Sequence, residues 1–161
     1  MPSPTPRPDG GSATAITVVA DYDVTPAALW STLEQVERHV DWMADAESIE
    51  FLTDARGGVG TRFVCVTKVG PIRLRDVIEI TAWEPGRAMG VRHDGLVTGE
   101  GRFTLVPLDD GRRTRFTWTE QLRFPWWLGG PVTSRIGGRQ VMARIWRGNL
   151  SRLRRLVEPS P

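Results

Sequence analysis

Metal-ligating and redox-active side chains are scarce in this chain, which has one cysteine, Cys65, and two histidines, His39 and His93. A single cysteine makes no internal disulfide. With no CxxC, no Cys/His cluster and no HExxH, neither a structural nor a catalytic metal site is expected, and no cofactor is expected either. Long hydrophobic runs are missing too: charges or glycines interrupt each one before it approaches the roughly 20 apolar residues that span a bilayer. The opening MPSPTPRPDGGSAT, residues 1–14, has neither a basic n-region nor an apolar h-region. It reads as a disordered tail ahead of a domain over 15–158, not as a secretory signal. Gly57-Gly-Val-Gly60 lacks the Lys-Ser/Thr of a phosphate loop and precedes a strand, so it is read as a hairpin turn. These absences point to a soluble, cytoplasmic protein.

The chain's 161 residues, 40% hydrophobic and 25% charged, suit one domain around one core. The net charge of +2 conceals an uneven distribution: from Trp126 onward seven arginines face one acid, Glu158, whereas the preceding part carries 14 basic against 18 acidic groups. Such an arginine-rich end is either a solvated helix face pairing with acids of its own sheet or a weak contact for an anionic membrane surface. A nucleic-acid partner is not expected, and monomer and homodimer remain open.

ATAITVVADY is dense in β-branched residues and runs into an Asp-Val-Thr-Pro break, the pattern of a strand entering a helix. Thr25 is placed as N-cap and Pro26 as the first helical residue, with Leu29, Trp30, Leu33 and Val36 at helical spacing; a second short helix is expected over His39–Ala44. Six strand-length segments follow, over 48–53, 61–69, 72–83, 87–93, 97–107 and 113–122, joined by short Gly, Pro and Asp turns. Links so short make an antiparallel meander, because parallel strands need crossovers of about a dozen residues or more. From about Val132 to Val157 apolar residues recur at spacings of three and four, predicting one long amphipathic helix that starts after, or bends at, Gly137-Gly138.

This order of elements resembles the START-like (SRPBCC) superfamily, specifically its polyketide cyclase/dehydrase and lipid-transport branch. The resemblance is carried by ITVVADYDVTPAALWSTL, by ITAWEPGRAMGVR, and by GRFTLVPLDDGRRTRFTWTEQL ahead of a helix ending LSRLRRLVE. It implies an α+β helix-grip fold, a curved antiparallel sheet of about seven strands around a long C-terminal helix, with a deep cavity for an apolar ligand between them.

Alternation along the strands assigns the inner face. In the last strand Phe116, Trp118, Glu120 and Leu122 share one side. By the same rule Phe63, Cys65 and Thr67, then Ile78, then Met89 and Val91, then Gly99, Gly101, Phe103 and Leu105 point inward, the glycines leaving space. Trp42 and, from the helix, Met142, Ile145 and Asn149 complete the expected ligand-binding set. Cys65, mid-strand and without a nearby histidine, is a packed thiol, and Trp126 and Trp127 either form an apolar rim at the mouth or cap the core. Three ionisable groups, Asp76, His93 and Glu120, fall on the inner face. A carboxylate there needs a partner or a raised pKa. Each is therefore either a candidate catalytic acid/base or a polar anchor satisfied by a neighbour such as Arg152.

Two functions fit. One is binding of a hydrophobic or amphipathic small molecule, whether a lipid, isoprenoid, quinone or polyketide-like compound. The other is a cyclase or dehydratase using Glu120 with Asp76 or His93. Fold alone does not separate them.

Overall fold

The computed structural model describes residues 13–125 and 138–158. The expected N-terminal tail, the Trp126-Trp127 pair and the helix start near Val132 fall wholly or mostly outside these residues. Strand β1 (Thr14–Tyr22) opens the domain one residue earlier than the sequence pattern placed it, and helix α1 (Pro26–Leu33) follows. Thr25 sits in extended backbone and its hydroxyl accepts the Ala28 N–H at 3.2 Å, satisfying one of the helix's orphan donors, while Pro26 takes the position where a missing N–H costs nothing.

The helix ends sooner than its apolar spacing predicted. Gln35 leaves helical geometry (φ −80°, ψ 75°), and Val36 opens a 3-10 segment, Val36–Asp41, in place of the expected helix over His39–Ala44. The break turns both Val36 and His39 into the core. It also sets His39 Nε2 2.7 Å from the carbonyl of Leu33, one of the acceptors a helix C-terminus leaves unpaired.

The remaining strands are β2 (Ala46–Phe51), β3 (Arg62–Val69), β4 (Ile72–Glu84), β5 (Ala88–Asp94), β6 (Thr98–Leu108) and β7 (Arg113–Arg123). Every pairing is antiparallel and the order across the sheet is β1-β7-β6-β5-β4-β3-β2. Strands β1 and β2 therefore form opposite edges, and the chain between them crosses the sheet by way of α1, which packs on β6 and β7. At the β6–β7 turn Asp109, Asp110 and Gly111 all take positive φ, the left-handed geometry that tight hairpins demand.

Helix α2 (Gly138–Val157) closes the concave side. Its apolar stripe of Trp146, Leu150 and Leu153 is buried against the sheet, the Tyr22 hydroxyl donates to the Leu150 carbonyl at 2.9 Å, and Trp118 stacks on Trp146 with centroids 4.5 Å apart. The result is a helix-grip fold. On the outer face the sheet's arginines pair with the sheet's own acids: Arg115 with Asp21, Arg92 with Glu79, Arg73 with Glu47. The Arg115 guanidinium holds the Asp21 carboxyl below its usual range.

Candidate functional site

A cavity of about 680 Å³ lies between the concave sheet and α2. Of the residues singled out from the sequence, Phe63, Cys65, Thr67, Ile78, Met89, Val91, Phe103, Trp118 and Met142 line it, and so do Asp76, His93 and Glu120. Burial pushes the Cys65 thiol up to about 11, so it stays protonated as a packed group beside Thr67.

Five expected lining residues do not reach the cavity. Trp42 is fully buried and wedged among His39, Phe103 and Trp118, so it fills core instead of bordering space. Phe116 is spent in the same way between Tyr22 and Phe103. Ile145 packs half-buried against the core. Asn149 is a clamp: its carbonyl accepts the Ala44 N–H at 2.9 Å and its amide donates to Asp45 at 2.7 Å, tying α2 to the start of β2. Gly99, at φ 143°, lies so close to the β7 backbone that a Cβ would collide with the Gln121 carbonyl; its missing side chain serves strand approach, not cavity space.

Gly101 does leave space, and Glu120 uses it. The two residues are partners across β6 and β7, and the carboxylate lies where a side chain on Gly101 would be. His93 extends from β5 on the far side of β6, so its Nε2 meets Glu120 Oε2 at 3.1 Å over the glycine strand. The indole N–H of Trp118 donates to Glu120 Oε1 at 2.9 Å. A carboxylate with only 6% of its residue surface exposed is thus held by two ring nitrogens and not by Arg152, the anchor considered from sequence. When Nε2 donates to the carboxylate, the free lone pair of the imidazole is fixed on Nδ1, the arrangement a general base requires. Asp76 is committed differently: its Oδ1 accepts the Val97 N–H at 3.2 Å and pins the β5–β6 hairpin.

The sequence profile of the family described as polyketide cyclase/dehydrase and lipid transport matches residues 13–158. The chain belongs to this family. No curated protein matches it in sequence. Among solved structures, this family member is similar to the Zhui aromatase/cyclase from a Streptomyces species, at 17% identity and a TM-score of 0.74, over 91% of this chain and 94% of that one. It is also similar to a START superfamily protein from Mycobacterium smegmatis, at 11% identity and a TM-score of 0.72, over 91% of this chain and 97% of the other. Identities this low establish a shared fold and nothing about ligand.

Several polar or aromatic residues that border the cavity of this polyketide cyclase/dehydrase and lipid transport family member were not assigned to it from sequence, among them Arg102, Phe124 and Arg139. His39, Asp45 and Trp146 border it as well. Trp146 carries a signal, the apolar stripe of α2, but its stacking on Trp118 depends on how far the helix sits along β1. His39 carries none, because its orientation is set by a turn at Gln35 that the helical spacing disguises.

Proposed function

We propose that the protein binds a hydrophobic or amphipathic small molecule, of lipid, isoprenoid, quinone or polyketide-like character, in the cavity between sheet and α2. The observation that carries this reading is a largely apolar space of about 680 Å³ with a fixed polar cluster, Trp118–Glu120–His93, on its wall. That size falls within the roughly 300–1,000 Å³ of small-molecule sites, which combine an apolar lining with a few placed polar groups. Organic extraction of the purified protein followed by mass spectrometry tests it. A stoichiometric apolar guest, or saturable binding of an apolar fluorophore, is expected; neither being found would refute the reading. The cytoplasmic setting read from the sequence suits such a binding protein with its single buried thiol.

The 3.1 Å contact of His93 with Glu120 favours a second reading, a cyclase or dehydratase in which this pair moves protons on a poly-carbonyl guest. Asp76, with one oxygen held by Val97, stands outside that pair. Glu120→Gln keeps an acceptor for Trp118 but removes the charge that orients His93. Turnover should vanish while guest binding persists; unchanged turnover would eliminate this reading.

The outward face of α2 supports a weak contact with anionic membrane. Arg144, Arg147, Arg152 and Arg155 are exposed there and make no ion pair among the described residues, because the acids of the sheet are engaged by the sheet's own arginines.

A further inference from the structure

His39 is a neutral imidazole with one nitrogen committed and the other without a partner among the described residues. Its residue is 6% exposed, and it borders the cavity. Nε2 lies 2.7 Å from the Leu33 carbonyl, an oxygen that only accepts, so Nε2 carries the proton and Nδ1 carries a lone pair. Burial drives the imidazole down to about 4, so at neutral pH the ring holds no second proton.

Nothing among the described residues donates to Nδ1. The neighbouring rings are Trp42, centroid 5.2 Å away, and Phe103, at 6.0 Å. Phe103 has no donor, and the Trp42 indole N–H is itself without a partner. The side-chain polar atoms that are both sealed off and unpartnered among the described residues are the indole nitrogens of Trp30 and Trp42 alone. His39 Nδ1 is not among these sealed atoms, and His39 borders the cavity.

We propose that His39 Nδ1 is a ligand-reading acceptor, and that the guest of this cavity is a neutral hydroxylated hydrophobe, an alcohol or phenol that donates its O–H to this nitrogen. The assignment rests on the cavity-binding reading above. The chemistry of His39 and of the Glu120 cluster argues for a hydroxyl over a carboxylate at these two stations; of the other charged residues that border the cavity, Asp45 and Asp76 repel an anion, Arg102 pairs with Glu84, and Arg139 lies exposed in the first turn of α2. A neutral imidazole with its lone pair exposed repels an anionic oxygen, and Glu120 at the other station is an acceptor for two N–H groups already. A hydroxyl donor satisfies His39 and leaves its carbon skeleton to the apolar wall formed by Phe63, Ile78 and Met89. A buried acceptor left unpaired weakens binding of any guest that lacks the donor, and that penalty is how such a site discriminates.

Three probes that share one skeleton test this on the full chain: hydroxypyrene, pyrene and pyrenecarboxylate, titrated by fluorescence into wild type and His39→Phe. Hydroxypyrene should bind wild type on the order of tenfold tighter than pyrene, the worth of one good hydrogen bond. Pyrenecarboxylate should bind more weakly than pyrene, and His39→Phe should erase the hydroxyl preference while leaving pyrene binding in place. In parallel, NMR of isotope-labelled histidine, with His93→Gln used to tell the two rings apart, should show the unprotonated nitrogen of His39 shifting on addition of hydroxypyrene and not of pyrene. A preference that survives in His39→Phe, or a His39 nitrogen that hydroxypyrene leaves unmoved, overturns the proposal; if His39→Phe does not fold, the wild-type spectrum decides alone. Pyrene binding without any hydroxyl preference overturns only the role of His39. Exclusion of both pyrene and hydroxypyrene from wild type overturns the cavity-binding reading and this proposal with it.

Discussion

Glu120 and Gly101 face each other across the β6–β7 ladder, and the absence of a side chain at 101 is what lets the carboxylate fold over β6 to meet His93. Strands β5 and β7 are two inter-strand spacings apart, about 10 Å, too far for these side chains to meet over an ordinary residue. A glycine strand between them is the structural condition for the polar cluster.

The two inner-face glycines of β6 should therefore respond differently to alanine. In Gly101→Ala the new Cβ pushes against the far end of a flexible side chain, so Glu120 swings away and loses His93 and Trp118, at a cost of about 1–3 kcal/mol. In Gly99→Ala the obstacle is the Gln121 backbone and φ is 143°, so the ladder itself must open, costing more than about 3 kcal/mol. Urea denaturation of both variants checks the order; a milder effect at Gly99 would contradict the assignment of the two roles.

Stability should fall with acid in a window set by His39. The imidazole titrates near 6.5 in the unfolded chain and near 4 in the fold. Above 6.5 both states are neutral and the fold bears no penalty. Between 6.5 and 4 the unfolded chain gains a proton that the fold refuses, removing up to about 3 kcal/mol of stability. Asp21, whose ordinary value is 3.8 and whose folded value is lower, acts only below that window. Denaturation midpoints across this range, compared between wild type and His39→Phe, should show the decline in wild type alone.

Asn149→Ala removes the clamp between α2 and the start of β2 and leaves the Ala44 N–H without its partner. The expected loss is about 2–4 kcal/mol, read from thermal or urea unfolding. Asn149→Asp should be at least as damaging, because it sets a second carboxylate against Asp45.

Binding of the protein to phosphatidylglycerol vesicles should weaken as salt rises, since the α2 arginines are exposed to screening. Replacing Arg144, Arg147, Arg152 and Arg155 with glutamine should remove it without lowering thermal stability, because these side chains make no ion pair among the described residues. Vesicle binding indifferent to salt would exclude a contact made by this face.

The faces of the strands were legible because a period of two does not depend on what packs against it: Phe116, Trp118, Glu120 and Leu122 all turned inward as alternation requires. Alternation cannot say whether an inward side chain borders space or fills it. Phe116 and Trp118 share one face of one strand, yet Phe116 is spent between Tyr22 and Phe103 while Trp118 reaches the cavity. Gly99 and Gly101 share a face as well, and only the β7 backbone distinguishes close approach from open room. The inward assignment of Glu120, His93 and Asp76 came from the same alternation, but the His93–Glu120 contact joins β5 to β7 and Asp76 is held from the β5–β6 hairpin, and long-range pairing of that kind leaves no local trace. His39 was hidden by a helix that ends at Leu33, three residues before its apolar spacing does.

Everything functional depends on the cavity admitting a guest, and Val91→Trp tests this most directly by placing an indole in that space from the middle of β5. Pyrene fluorescence titrated into wild type and variant, with circular dichroism confirming that both are folded, is the decisive comparison. Saturable binding to wild type that is lost in folded Val91→Trp is the predicted result; equal affinity in the two proteins would place the guest elsewhere and contradict the account.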